Sequence, residues 1–186
     1  MNSTRRYWLS TCLATTAWAE IASALEHAHA TSKSVAPPAF ETLDSEAAAE
    51  IEAIAAQIIP SADGPGAREA GVIYFIDRAL STFDADKREA YYAGMGEIQQ
   101  RRKELFPSST SISSLTNEQQ IELIHAIEHS AFFELLRTHT VMGFLGNPSY
   151  GGNRSGVGWE YIGFEDRMAF QPPFGYYDEK LSGPSK

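Results

Sequence analysis

Apolar residues recur at helical spacing through most of the chain. Over residues 45–59 they lie three and four positions apart, which predicts an amphipathic helix that ends at Pro60. The same spacing predicts a second helix over residues 68–83 and a third that starts at Asp84, as its cap, and runs to about Leu105. The expected core positions of the first two helices are Ala48, Ile51, Ile54, Ala55, Ile58, Val72, Phe75, Ile76, Ala79 and Leu80.

Two further helices are predicted in the second half. Thr116 and Gln119 have the spacing of a capping box, so a fourth helix should follow them, and a fifth is expected from about Ser130 to Leu145. Their expected core positions are Ile121, Leu123, Ile124, Ile127, Phe132, Phe133, Leu136, Val141 and Phe144. No stretch alternates with period two for long enough to predict a sheet. The expected fold class is all-α, a small bundle of about five helices.

A glycine- and aromatic-rich region follows the fifth helix. Seven of the 14 glycines lie between Gly143 and Gly163, and aromatic residues recur from Tyr150 to Tyr177. Long irregular segments inside a domain are usually functional or disordered, and this aromatic content favours a folded one. We therefore expect a long C-terminal loop region that packs against the helices or against a partner.

The N-terminus is typical of an export signal. Arg5 and Arg6 precede a weakly apolar stretch, which indicates the twin-arginine route; the alternative is a general secretory signal. Ala-x-Ala sites predict cleavage after Ala19 or, preferably, after Ala30. The expected organisation is a signal peptide at residues 1–30, a disordered lead-in at 31–41, one helical domain at 42–178 and a flexible tail at 179–186. The expected location is the periplasm.

Cysteine content and charge restrict the chemistry of the mature chain. Cys12 is the only cysteine, and it lies inside the predicted signal, where lipidation is an alternative fate. Without it, no disulfide, iron–sulfur cluster or c-type haem attachment can form. The net charge of −9 argues against nucleic-acid binding and against attraction to anionic lipid.

One short motif has the spacing of a metal site. His125, Glu128 and His129 match the inverted zinc-protease pattern, in which two histidines one helical turn apart share a metal and the glutamate acts as base. A catalytic zinc would still need a third protein ligand. The favoured interpretation is that the three residues lie on a solvated helix and bind no metal, and the metal site is the alternative.

Other polar residues are expected to have structural roles. Arg137, His139 and Arg154 could form a cluster that holds the C-terminal loop on the fifth helix, with His139 as a hydrogen-bonded structural residue. Asp77 and Arg78 are expected to form an ion pair or a helix-surface contact. The glycines after Tyr150 lack the strand and the Gly-Lys-Ser/Thr ending of a phosphate-binding loop, so nucleotide binding is not expected.

Two blocks of sequence carry a family resemblance. The first comprises Ile-Ile-Pro at 58–60, Asp-Gly-Pro-Gly-Ala at 63–67, Glu-Ala-Gly-Val at 69–72 and Phe-Ile-Asp-Arg at 75–78. The second comprises the helical run at 132–140, Tyr-Gly-Gly-Asn-Arg at 150–154, Gly-Trp at 158–159 and Ile-Gly-Phe at 162–164. Together they resemble the small third subunit of membrane-associated, flavin-dependent gluconate 2-dehydrogenase complexes.

The resemblance implies a partner protein rather than a catalyst. In that family a large FAD-containing flavoprotein oxidises the substrate, electrons pass to a multihaem cytochrome c subunit, and the small subunit has no cofactor of its own. The implied role is to stabilise the flavoprotein and to aid its twin-arginine export in folded form, with membrane association through the complex only. The alternatives are a stand-alone periplasmic metalloenzyme that uses the histidine motif and a free periplasmic binding module.

The second block has the composition of an interface. Trp, Tyr and Arg are enriched at interface hot spots, although the same aromatic residues could equally form part of the core. The expected partner-interface residues are Tyr150, Asn153, Arg154, Trp159, Tyr161 and Phe164.

Overall fold

The structure, a computed structural model, describes residues 39–167 and 169. The predicted signal peptide with Cys12, both cleavage sites, most of the lead-in and the 179–186 tail lie outside these residues. No helix in the described part of the chain combines the length and the apolar character needed to cross a membrane.

The described residues form six α-helices and three short 3-10 turns, with no strand among them. The all-α prediction is confirmed, and the first five helices correspond to the five predicted ones. The sixth helix lies in the region that was predicted to be loop. The helices are α1 (Ser45–Ile58), α2 (Val72–Ser81), α3 (Arg88–Leu105), α4 (Asn117–Ile127), α5 (Ala131–Leu145) and α6 (Val157–Tyr161). The 3-10 turns are Ala85–Lys87, Pro148–Tyr150 and Arg154–Gly156.

Three helices begin at side chains that cap them. Asp44 accepts a hydrogen bond from the N–H of Ala47 at the start of α1, and Ser130 accepts one from Phe133 at the start of α5. The predicted capping box at Thr116 is present at the start of α4. Each cap satisfies an N–H group that has no partner within its helix, so local sequence is sufficient to set these starts.

Two predicted helix starts are wrong. The second helix begins at Val72 rather than at residue 68, because Gly71 has a left-handed backbone with φ of 64° and interrupts the helix. Asp84 does not cap α3, since a 3-10 turn intervenes and its carboxylate binds His139 instead. Both differences arise where a tertiary contact replaces the local helical geometry.

The core lies around α2, which packs against α1 and α5. Nine of the ten core positions predicted for the first two helices are buried, and Ile58 is partly buried. Ile121 and Val141 were also expected in the core but are exposed. The buried faces of their helices are formed by other residues, such as Leu123 in α4 and Leu136 in α5. Helical spacing predicts an apolar face without defining its edges.

A buried polar network fixes the connection between α3 and α4. The carboxylate of Glu50 accepts hydrogen bonds from the backbone N–H groups of Ile112 and Ser113 and from the side chain of Gln99. The buried guanidinium of Arg102 donates to Gln99 in turn. Charged groups are stable inside a protein only when they are paired in this way. No buried side-chain nitrogen or oxygen among the described residues lacks a hydrogen-bond partner.

Candidate functional site

The two sequence blocks that carry the resemblance pack against each other. Residues 146–164, which we call the Gly-rich segment, leave the end of α5 and return over α2 and the turn before it. The backbone N–H of Arg154 donates to the carbonyl of Ala70 at 3.0 Å. The side chain of Arg78 donates to the carbonyl of Ser149 at the same distance. Chain segments about 80 residues apart therefore form one unit.

Asn153 holds the Gly-rich segment in its shape. Its side chain is fully buried, and its backbone is left-handed with φ of 44°. Its amide donates to the carbonyl of Gly146 at 2.9 Å, and its side-chain oxygen accepts from the N–H of Gly158 at 2.8 Å. Asparagine tolerates this backbone conformation better than most residues. One side chain thus ties both ends of the loop together.

Two glycines let the Gly-rich segment approach α5 closely. A Cβ atom added at Gly152 would lie 2.2 Å from the carbonyl oxygen of Gly143, and one added at Gly158 would lie 2.0 Å from that of Phe144. Both distances are far below van der Waals contact. The concentration of glycine in this region therefore reflects backbone-to-backbone packing and not a phosphate cradle.

Arg154 packs its side chain onto α2. Its guanidinium carbon lies 3.8 Å from the centre of the Tyr74 ring, a cation–π contact. Its aliphatic part fills the space beside Gly71, where an added Cβ would lie 2.6 Å from the Arg154 side chain. Gly71 is therefore required both for its positive φ and for the room it leaves.

Trp159 closes the C-terminal end of α5. Its indole N–H donates to the carbonyl of Leu145 at 2.6 Å, and its ring lies 5.1 Å from that of Phe164. The last carbonyl groups of a helix have no partner within it, so this bond satisfies one of them. Trp159 is partly buried. Trp159 lies on the short helix α6, which places its ring against the end of α5.

The Gly-rich segment exposes apolar side chains on the outside. Tyr150 lies near its start and packs against the exposed ring of Phe83, with 6.2 Å between ring centres. Tyr161, Ile162 and Phe164 lie at its end, and all three are exposed. The ring of Tyr161 covers Gly64, so it is positioned although it faces solvent. Rigid, exposed aromatic side chains of this kind are typical of interface anchors.

The predicted interface residues therefore fall into three groups. Tyr150, Tyr161 and Phe164 are exposed, and Arg154 and Trp159 are partly buried with internal partners. The prediction for Asn153 is corrected, since a side chain with 0% exposure has no surface to offer a partner. Sequence reasoning did not include Ile162 and Phe83 among the interface residues, although both are exposed. Ile162 lies within the matched run at 162–164, which could have suggested it, whereas no sequence signal singles out Phe83.

The predicted polar cluster is not present. Arg137 is exposed and pairs with Glu134 at 2.8 Å, whereas His139 is buried on another face of α5. Asp77 and Arg78 do not pair with each other either. Asp77 is buried and accepts backbone N–H groups from the segment before α1, and Arg78 binds Ser149. Side chains one or two positions apart on a helix point in different directions. The two residues of each pair therefore contact different parts of the chain.

His139 instead belongs to a buried relay of three side chains. Its Nδ1 lies 2.8 Å from the Tyr91 hydroxyl, and its Nε2 lies 3.2 Å from the Asp84 carboxylate. Burial lowers the pKa of His139, and Asp84 opposes that shift. Burial also raises the pKa of Tyr91 above its usual range. At neutral pH the neutral imidazole can donate to Asp84 and accept from Tyr91, which joins α5 to α3 and to the turn that carries Phe83.

We expect the His139 relay to make stability depend on pH. Since its pKa is lower in the folded chain, the unfolded chain binds more protons below about pH 6.5. This part of the stability is therefore complete above pH 6.5 and is lost as pH falls toward the folded-state pKa. His139→Gln should reduce the loss of stability between pH 7 and pH 5 in urea unfolding. His129→Gln, which removes an exposed histidine, is the comparison, and equal pH slopes for all three proteins would contradict the relay.

The histidine motif does not have the geometry of the alternative metal site. Helix α4 ends at Ile127, so His125 and His129 are not one turn apart on a single helical face. They lie beside different oxygens of Glu128, at 3.3 Å and 3.7 Å. Both histidines are well exposed. The described residues contain no group of three or more His, Cys, Asp or Glu side chains arranged to hold a metal ion.

The match to known families covers the same blocks. Residues 45–166 match the family described as "Gluconate 2-dehydrogenase subunit 3". Comparison with curated proteins and with solved structures gave no significant match. The matched range spans all six helices and includes both the turn before α2 and the Gly-rich segment that packs on it. The chain therefore belongs to the gluconate 2-dehydrogenase subunit 3 family.

Proposed function

We propose that this protein is the non-catalytic small subunit of an FAD-dependent gluconate or sugar dehydrogenase complex and binds the flavoprotein through its Gly-rich segment. Membership in the family supports an accessory subunit of such a complex. The observation that carries the proposal is the exposure of Tyr150, Tyr161, Ile162 and Phe164 on a segment locked to α2 and α5. Because the segment is already rigid, binding would order few side chains.

In this proposal, the histidines of the described residues have structural roles. The imidazole of His139 is buried between Tyr91 and Asp84, and the two histidines of the histidine motif lie beside Glu128. In the proposed complex, FAD is bound by the large subunit and haem by a multihaem cytochrome c that this chain meets only through the assembly. The small subunit stabilises the flavoprotein by covering part of its surface.

Export of the folded pair completes the proposal. Arg5 and Arg6 would address the complex to the twin-arginine route, which moves folded proteins to the periplasm. A flavoprotein receives its cofactor before export, so it benefits from a leader on a bound partner. The membrane is then reached through the complex and not through this chain.

The direct test is recovery of the partner. We expect a tagged copy, purified from its native periplasmic and membrane fractions, to bring down a flavin-absorbing large subunit identified by mass spectrometry. Tyr161→Ala should weaken binding at least about tenfold, as truncation of an aromatic hot spot does. Tyr92→Ala is the matched control, because Tyr92 is 61% exposed on α3 and Tyr161 is 56% exposed.

Two outcomes would contradict the proposal. Recovery of the intact, folded protein with no flavoprotein would favour a free binding module. Equal affinities of the two tyrosine variants and the wild type would show that the partner binds elsewhere on the chain. Thermal unfolding of each variant, compared with the wild type, confirms that any loss of binding reflects the surface and not the fold.

A further inference from the structure

The chain before α1 is held by a buried carboxylate. Residues 40–43, which we call the N-terminal strap, lie against α2. Asp77 is buried, and its side chain accepts hydrogen bonds from three successive backbone N–H groups. The distances are 2.7 Å from Glu41, 2.9 Å from Thr42 and 2.8 Å from Leu43. Hydrogen bonds to a carboxylate are stronger than neutral ones, so this contact fixes the strap on the helix.

The strap is also connected to the Gly-rich segment. The ring of Phe40 stacks on that of Tyr74, with 5.1 Å between centres and 17° between planes. The same Tyr74 ring makes the cation–π contact with Arg154, whose N–H is bonded to Ala70. A row of three side chains, Phe40, Tyr74 and Arg154, thus runs from the strap to the Gly-rich segment across the surface of α2.

This arrangement corrects the predicted lead-in. Phe40 and Glu41 were assigned to a disordered segment, but both contact α2. Both expected cleavage sites, after Ala19 and after Ala30, precede the strap. The strap therefore stays with the mature chain whichever site is used, and the chain enters the fold beside Arg154.

We propose that the N-terminal strap and the Gly-rich segment form one composite partner-binding surface, and that Asp77 is its positioning residue. The partner in this inference is the flavoprotein of the proposed function, on which the inference rests. Phe40 is half-buried and so retains surface for a partner. Asp77 itself touches no partner, because it is buried beneath the strap. Its effect on binding would pass through Phe40, Tyr74 and Arg154.

Two variants test the positioning role within the isolated full chain. Asp77→Asn is nearly the same size but removes the charge and places an amide donor against one of three N–H groups. Phe40→Ala leaves all three bonds to Asp77 in place and removes only the ring stack. Ser81→Ala is the control, because it deletes an exposed bond from Ser81 to Glu41 at the edge of the strap.

Hydrogen exchange followed by NMR gives the readout at single amides. We expect Asp77→Asn to speed exchange at Glu41, Thr42 and Leu43 at least about tenfold, since buried charge-assisted bonds are lost. Exchange at Arg154 should also rise by about threefold or more in both Asp77→Asn and Phe40→Ala. Ser81→Ala should change neither site by more than about twofold.

Unchanged exchange at Arg154 in a folded Asp77→Asn variant would overturn the positioning role of Asp77, even if the strap itself opens. If Asp77→Asn fails to fold, Phe40→Ala decides: a faster Arg154 amide supports the link between the strap and the Gly-rich segment, and an unchanged one overturns it. A merely structural strap would raise exchange evenly over all helices instead. That even increase would also overturn the inference.

Affinity for the flavoprotein tests the composite surface. Phe40→Ala should raise the Kd about tenfold, whereas Ser81→Ala should leave it within about twofold of the wild type. A wild-type Kd for Phe40→Ala would show that the strap is outside the interface and would overturn the composite surface. If the wild-type protein binds no flavoprotein, the proposed function fails, and the exchange experiment still decides whether Asp77 positions the Gly-rich segment.

Discussion

Asn153→Ala should destabilise the protein by at least about 3 kcal/mol, a large part of the stability of an ordinary domain. The change removes both side-chain hydrogen bonds of Asn153 and leaves the carbonyl of Gly146 and the N–H of Gly158 without partners. Each unsatisfied buried group costs about 1–3 kcal/mol. A left-handed backbone adds about 1–2 kcal/mol for alanine. Urea unfolding followed by circular dichroism measures the sum.

Asn153→Gly separates the two causes. Glycine adopts the positive φ of 44° freely but makes no side-chain bonds, so this variant should be about 1 kcal/mol more stable than Asn153→Ala. Equal stabilities would show that the backbone conformation contributes nothing. If both variants unfold within about 0.5 kcal/mol of the wild type, Asn153 does not hold the Gly-rich segment.

Gly158→Ala should cost about 3 kcal/mol, at the upper end of the range for overpacking. The new Cβ would lie 2.0 Å from the carbonyl oxygen of Phe144 and 3.1 Å from the side-chain oxygen of Asn153. The obstacle is backbone in the last turn of α5, so α6 must move away. That movement would break the bond from the Trp159 indole to Leu145. Thermal and urea unfolding should both show the loss, and partner binding should fall with it.

Gly96→Ala is the matched control for that clash. Gly96 lies within α3, and a Cβ added there meets no atom within 4 Å. Alanine is favoured over glycine inside a helix, so this variant should gain about 0.5–1 kcal/mol. A Gly158→Ala variant as stable as Gly96→Ala would mean that α6 does not approach α5 as closely as the structure shows.

The helices could be predicted from the sequence because their causes are local. The apolar spacing of α1 and α2, the capping box at Thr116 and the stop before Pro60 each involve residues within one or two turns. The first residue of α2 could not be predicted in the same way. Its position depends on Gly71, which adopts a left-handed conformation and, because it has no Cβ, leaves room for the side chain of Arg154.

The sequence indicated which stretch of the chain contains the candidate site, but not which contacts hold that stretch in place. The exposed Tyr150, Tyr161 and Phe164 belong to the block that composition singled out. His139 was expected to be a hydrogen-bonded structural residue, and it is, but the partners of the buried polar residues could not be predicted because they are distant in sequence. His139 binds a tyrosine 48 residues away, and Asp77 binds N–H groups 34 to 36 residues away. A sequence pattern shows which residues are polar, but it does not show which groups each one meets.

The sequence by itself determined the all-α class, the five main helices and the family, since periodicity, caps and matched blocks are all properties of short stretches. Only the tertiary structure showed that Asn153 bonds the Gly-rich segment internally and that Asp77 holds the N-terminal strap. It also showed that the helix ends at Ile127, within the histidine motif. Backbone groups of an irregular segment need hydrogen-bond partners, and close packing selects which side chains supply them. Which side chains are close enough to supply these bonds depends on the fold of the whole chain and not on the neighbouring residues in the sequence.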